Sequence, residues 1–384
     1  MSFSVLSSRT ALLVGALGLG LAATVPLAAT ASSSGPQSAA ARAAAVAERV
    51  QVASPRNPTN PLAGHRWGVY KGSADPAWDP YTRARGTTRQ QLATIALTPK
   101  AKFFGKWIPN SDIARKVREY IANATGGDRN VLVQLTLFRM QPWEAEACRR
   151  LPTKAERASY RRYVDTFARQ IGRTHAAVVV QPDGPVARCA PGGGRVPLQL
   201  LRYTTRRLEA QPNTSVYLEM GSADWFSDKP GDAIRLLLAA GVAQARGFAL
   251  NTSHFDSVGR QIAFGRKIVA GLARRGVPGR HFVIDTSDNG RPFTGTWWHQ
   301  RHGDTPLGHA QPCRRAGQRH CVALGIPPTT DVAAPRWGLP PRLRRAAAQN
   351  VDAYLWISRP WLYNQAGSFD LKRALAVIRY SPYR

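Results

Sequence analysis

The chain has 384 residues, and its 53 basic against 23 acidic side chains give a formal net charge of +30. An apolar share of 43% excludes intrinsic disorder of the whole chain, whose signature is low hydrophobicity, and neither a collagen nor a coiled-coil period is present. The positive charge is mostly arginine scattered along the chain, without a zinc-finger, helix-turn-helix or RNA-binding aromatic pattern. It therefore predicts a solvated basic surface able to adhere to acidic polymers, and no specific nucleic-acid site.

Met1–Ala31 carries one positive charge, Arg9, ahead of an apolar core from Ala11 to Ala23 and the small residues Ala29-Thr30-Ala31. This pattern reads as a secretory signal rather than a membrane span. The rival reading is an uncleaved anchor. Residues 32–55 are rich in Ala and Ser and predict a flexible leader. Residues 56–384 predict a single domain. No later segment has the roughly 18 apolar residues that a spanning helix needs, so the exported protein is expected to be secreted; a monomer is expected.

Seven β-type runs follow: Lys102–Trp107, Val131–Phe138, Ala177–Val180, Ser215–Glu219, Gly247–Asn251, Phe282–Thr286 and Ala353–Ile357. Most are continuously apolar, as expected of parallel strands buried on both faces. Between them lie helical stretches. One is capped by Ser111 or Asp112, one follows Thr153, one spans Asp232–Ala245, and one runs from Ser257 to Arg275 with Gly276 and Pro278 as its stop. Such alternation predicts a parallel α/β sheet, open or closed into a barrel. The stretch from Arg291 to about Pro341 is rich in Gly, Pro, His and Arg and predicts a lid or binding loop.

Export permits disulfides between the four cysteines. Three pairings exist, and Cys148–Cys189 with Cys313–Cys321 is favoured because each pair closes a loop between neighbouring elements. A zinc site is the rival, but no CxxC or HxxxH spacing supports it.

Parallel α/β folds carry their sites at the C-terminal ends of strands. Those ends hold Asp183, Glu219 through Trp225, Asn251 through Asp256, Asp285 through Asn289, and Trp356 through Trp361. Carboxylates and amides beside tryptophans suit sugars, because aromatic faces pack on the apolar C–H faces of pyranose rings. A core role is the competing reading for each Trp. Asp183 lies among prolines, where apolar neighbours raise a carboxyl pKa and fit it to act as a general acid. Its competing reading is a helix cap. No G-x-S-x-G elbow, GxGxxG or Walker loop is present, so neither a serine nucleophile nor a nucleotide cofactor is expected.

These strand ends resemble glycoside hydrolase family 6, the inverting cellulases that include endoglucanases and cellobiohydrolases. Asn60-Pro61-Leu62-Ala63-Gly64 resembles the family's N-P-F-x-G, and Val178–Asp183 its strand leading to E-P-D. Tyr217–Trp225 is similar to its Y-x-D-x-G-x-x-x-W, and Arg246–Asn251 to its R-G-F-A-x-N. Phe282–Gly290 is similar to its V-I-D-T-S-x-N-G. Gly325–Thr329 and Asp352–Trp356 are similar to its G-x-P-P-T and D-A-x-L-W. The matches span about Asn60 to Pro360. The resemblance implies a distorted parallel barrel of seven strands and a metal-free hydrolysis of β-1,4-glucosidic bonds, with no cofactor and a polysaccharide as partner.

It also implies roles. Asp183 falls on the general acid, and Cys148 and Cys189 on a disulfide. Trp107, Trp225, Asn251 and His254 fall on or near sugar-contacting positions. Ser222, Trp298, Trp356 and Asn364 complete the expected sugar-binding set. Three departures stand out. Gln181 replaces the Glu of E-P-D. The family's R-D-C segment, whose Asp helps set the acid's pKa and handle the proton, has no clear counterpart, which leaves Glu144 or Glu146 as substitutes. Asn364 stands about where the family has an Asp proposed as base, and an amide takes no proton at neutral pH. Asp285 and Asp288 join Glu144 and Glu146 as possible replacements. The reading is a divergent secreted glucanase, with a glycan-binding relative of weak or no activity as its alternative.

Overall fold

The apolar, β-branched runs become strands because such side chains fit a pleated surface covered on both faces. The computed structural model describes residues 39–363 and 367–383. In chain order the elements are α1 Ala39–Glu48, α2 Trp78–Arg83, α3 Gly86–Ala96, β1 Lys102–Gly105, α4 Ile113–Thr125, β2 Val133–Phe138, α5 Lys154–Ile171, β3 Ala176–Val180, α6 Arg195–Glu209, β4 Thr214–Glu219 and α7 Gly231–Ala240. Then come β5 Gly247–Leu250, α8 Val258–Ala273, β6 His281–Asp285, α9 Gly295–His302, α10 Pro341–Asn350, β7 Val351–Leu355 and α11 Leu371–Arg379.

All seven expected strands are present, in one sheet of sequential order from β1 to β7, every neighbour pair parallel. The period-2 alternation splits each strand between two cores. Val178 and Val180 face outward into the layer shared with the helices. Ala177 and Val179 face inward, where they cluster with Tyr217, Ala249, Val283, Ala353 and Leu355. One inner cluster fed by strands from β3 round to β7 means that the sheet is curled on itself. At the seam the Ala101 N–H donates to the Trp356 carbonyl at 2.9 Å. Thr329 forms an antiparallel bridge to Tyr354 on the free edge of β7. The result is the distorted parallel barrel of seven strands.

Helix ends follow local chemistry. Thr153 and Glu156 form a full capping box at α5, and Ser257 accepts the Arg260 N–H at α8. Asp112 occupies the N-cap of α4 without a side-chain cap bond. The expected Asp232–Ala245 helix stops at Ala240, because Gly241 takes a left-handed φ of 90°. Both expected disulfides form, Cys148–Cys189 and Cys313–Cys321.

Two expectations need correction. The Ala-rich part of the leader is helical from Ala39, as its composition favours, and Gln51 behind it is buried with its side chain accepting from the Thr330 N–H. The stretch from Arg291 to Pro341 is only partly a surface loop: Val322, Ala323, Leu324, Ile326 and Val332 are core residues. The expected signal, residues 1–31, lies outside the described residues.

Candidate active site

The C-terminal ends of the strands collect the polar groups. Asp183 follows β3 in a left-handed conformation (φ 61°) at the head of a short 3-10 turn, Gly184–Cys189. Its side chain makes no cap bond there, so the helix-cap reading fails. The left-handed turn swings the residue away from the strand direction, and Gly184 must follow it. A Cβ on Gly184 would stand 1.9 Å from the Glu219 carbonyl oxygen. Burial pushes the Asp183 carboxyl up to about 6, helped by the negative charge of Glu144 and opposed by His254.

Glu144 begins the 3-10 turn Glu144–Cys148, which the Cys148–Cys189 disulfide ties to the turn carrying Asp183. Trp143 adds a second tie, its indole N–H donating to the Pro182 carbonyl at 2.9 Å. Glu144 is exposed and acts on Asp183 through its charge. Glu146 is turned elsewhere: it pairs with Arg150 at 2.9 Å, and Arg150 also grips Glu156 at the start of α5.

Next to Asp183 lies a carboxyl that the sequence reading placed at a strand end but gave no role. Glu219 ends β4, is 2% exposed, and accepts the N–H of Gly184 at 3.0 Å and of Gly221 at 2.8 Å. Burial and the adjacent Asp183 push it up to about 8, against the pull of those N–H groups. The available signal was its place in the Tyr217–Trp225 element, at the Asp of Y-x-D.

Two expected aromatic residues stand at strand ends on this side of the barrel. Trp107 lies just beyond β1 and is 54% exposed. Trp225 lies just beyond β4, partly buried, with its indole N–H donating to Nδ1 of His254 at 3.2 Å. Other expected sugar contacts do not reach the mouth. Ser222 and Asn251 are fully buried. Ser222 accepts from Gln261, while the Asn251 amide donates to the carbonyls of Asp256 and Asp285. Trp298 and Trp356 are core residues whose indole N–H groups bond the carbonyls of Thr305 and Ile326. They are large apolar bodies with one polar handle, and the interior satisfies both parts. Asn364 lies outside the described residues.

Nor do the remaining base candidates stand open. Asp285 is fully buried and accepts from the N–H groups of Ser287, Ile357 and Ser358 and from the hydroxyls of Ser287 and Ser358. It clasps β6 to β7. Asp288 is also fully buried, and burial raises its pKa well above the carboxylate range. Among the described residues no group of three or more His, Cys, Asp or Glu is arranged to hold a metal ion.

Barrel and mouth thus define an α/β protein whose strand ends carry a carboxyl of raised pKa together with exposed and half-buried tryptophans. Residues 68–361 match the model of the glycosyl hydrolases family 6, and the chain belongs to that family. Endoglucanase A of Cellulomonas fimi is 29% identical over 237 residues, 61% of this chain and 49% of that protein. The chain therefore spans about half the length of that relative. Endoglucanase 1 of Streptomyces halstedii is 28% identical over 229 residues, 59% of this chain and 69% of the relative. Among solved structures, an endoglucanase of Mycobacterium tuberculosis in complex with methyl-cellobiosyl-4-deoxy-4-thio-β-D-cellobioside has a TM-score of 0.64 and 28% identity, over 83% of this chain and 98% of that one. A cellobiohydrolase II of Humicola insolens shares the fold, with a TM-score of 0.61 at 14% identity over 85% of this chain and all of that one.

Proposed function

We propose that the protein is an exported glucanase that hydrolyses β-1,4-glucosidic bonds of cellulose or a related β-glucan with inversion. The observation that carries the reading is Asp183, a strand-end carboxyl held up to about 6 by burial and by Glu144. A carboxyl with that pKa keeps enough of its proton near neutrality to act as a general acid. Family membership and the glucan-analogue complex of the Mycobacterium tuberculosis relative support the substrate class. Two disulfides fit an oxidising compartment, and among the described residues no helix is long and apolar enough to cross a membrane.

In this mechanism Asp183 gives its proton to the glycosidic oxygen and the C–O bond breaks. Water then adds from the opposite face of the ring and releases a proton. Asn364 cannot receive that proton. Glu144 is the exposed candidate whose charge Asp183 feels, and it fits two tasks. It keeps Asp183 protonated before the reaction, and it takes the proton through water afterwards. Trp107 and Trp225 hold sugar rings on their faces.

The amide at Asn364 and the saturated Asp285 favour one second reading, a glycan-binding protein with little turnover. Reducing-sugar release from mixed-linkage β-glucan and carboxymethyl-cellulose separates the two. Activity in the wild type that vanishes in Asp183→Ala supports the hydrolase. No release by either protein, with β-glucan affinity retained by both, supports the binder.

A further inference from the structure

Asp224 joins three elements at the mouth, and neither the resemblance nor the mechanism above uses it. It lies in the 3-10 turn Ala223–Phe226 just beyond β4, with a side chain only 4% exposed. It accepts from Nε2 of His254 at 2.9 Å and from the N–H of Gly295, the first residue of α9, at 2.7 Å. His254 in turn accepts the Trp225 indole N–H at Nδ1, the two rings meeting edge to face at 5.6 Å and 89°.

This order of donors and acceptors assigns the imidazole. Nδ1 accepts, so the ring proton sits on Nε2 and is given to Asp224. Burial works against charge on Asp224, but the hydrogen bonds from His254 and the Gly295 N–H hold its pKa below the usual carboxylate range. The acceptor is therefore a carboxylate near neutral pH, and both imidazole nitrogens have fixed partners.

Trp225 is bounded on another side by Gly221. A Cβ on that residue would come within 2.8 Å of the indole ring and 2.9 Å of Pro185. Pro185 belongs to the turn that carries Asp183. The indole is thus seated beside the acid with its N–H already spent. It can offer a sugar its face, and not a hydrogen bond.

We propose that Asp224 is a positioning residue. Through His254 it fixes Trp225 as the sugar-stacking surface beside Asp183, and through Gly295 it fastens α9 to the same surface. The inference rests on reading the mouth as a glycan site. Without Asp224 the imidazole is free to turn, and the indole loses its acceptor. A sugar would then have to order the indole as it binds, a cost that appears in binding more than in the chemical step.

The test compares Asp224→Ala, Asp224→Asn and His254→Phe with the wild type by two readouts. The first is the NMR resonance and solvent exchange of the Trp225 indole N–H in the ligand-free protein, assigned with Trp225→Phe. The second is kcat and KM on a soluble cello-oligosaccharide. In Asp224→Ala and His254→Phe the indole resonance moves and its exchange quickens. KM rises about tenfold, the worth of one hydrogen bond, while kcat changes by less than about threefold. Asp224→Asn keeps one acceptor and recovers part of the loss. An indole resonance and exchange unchanged in Asp224→Ala would overturn the proposal, as would a kcat loss with KM unaltered. Should Asp224→Ala not fold, the other two variants carry the same readouts. A wild type without turnover would remove the hydrolase reading alone, since the indole signal and cello-oligosaccharide affinity by titration still decide the role of Asp224.

Discussion

A carboxyl donates a proton near neutrality only where its surroundings keep the proton on it. For Asp183 those surroundings are burial and the Glu144 charge. General-acid action needs the protonated form, so kcat/KM should fall as pH rises through about 6. Removing the negative charge of Glu144 makes ionisation of Asp183 easier. Glu144→Gln should therefore move that limb to lower pH, and a pH–rate profile that stays in place would show that Glu144 does not tune the acid. Glu219, pushed up to about 8, still holds its own proton on that limb and adds no charge there. Asp183 could be singled out in the sequence as a strand-end carboxyl among prolines on a motif that resembles E-P-D, and the structure places it just beyond β3. Glu219 was not singled out, because its importance comes from the Gly184 backbone lying against it. Ser222, Asn251, Trp298 and Trp356 misled for the converse reason: residue types suited to sugars are equally suited to a polar interior network or an aromatic core.

Two short turns carry the proposed acid and its electrostatic partner, and one disulfide ties them. Replacing Cys148 and Cys189 by Ser should cost about 2–4 kcal/mol of stability, as expected for opening a loop of this size. It should also lower kcat, since Glu144 is then held near Asp183 by hydrogen bonds alone, Trp143 to the Pro182 carbonyl and the Met140 N–H to Gln181. Thermal unfolding and steady-state kinetics measure both. A stability loss with kcat unchanged would mean that packing alone orders the turns. Elements with complete local signals, such as α5 with its Thr153–Glu156 box, were readable from the sequence. Helix α6 was not, because it starts after Gly192-Gly193-Gly194 with no capping side chain. Its helical state is secured by the buried stripe of Leu198, Leu201, Thr205 and Leu208.

At the scale of the whole molecule, the barrel is fastened at the opposite end from the site. Asp352 in β7 is fully buried and accepts from Arg246 ahead of β5, from the Tyr217 hydroxyl of β4 and from the Asn57 amide, while its carbonyl takes the Asn60 amide. One carboxylate thus links strands across the barrel interior and plugs the N-terminal end. Arg246→Met would strand that charge, and unfolding by denaturant should show a loss of about 3–5 kcal/mol. Activity at low temperature should survive, because the proposed acid lies at the far end of the strands. A loss below about 1 kcal/mol would mean that Tyr217 and Asn57 hold Asp352 without the guanidinium.

The sequence by itself determined the strand count, the parallel alternation and the strand-end address of Asp183, and it favoured the one disulfide pairing of three that the structure shows. Each is written in local signals: continuous apolar runs, caps and glycine stops, and cysteines near neighbouring elements. Only the tertiary structure decided which polar strand-end residues face the mouth. That choice depends on which donors and acceptors meet once the sheet has curled. Asn251 and Asp285 share a bond, and Asp285 takes up the end of β7, so both are spent inside. Asp224, His254 and Trp225 come from two different strand ends and become one device only when those strands lie side by side.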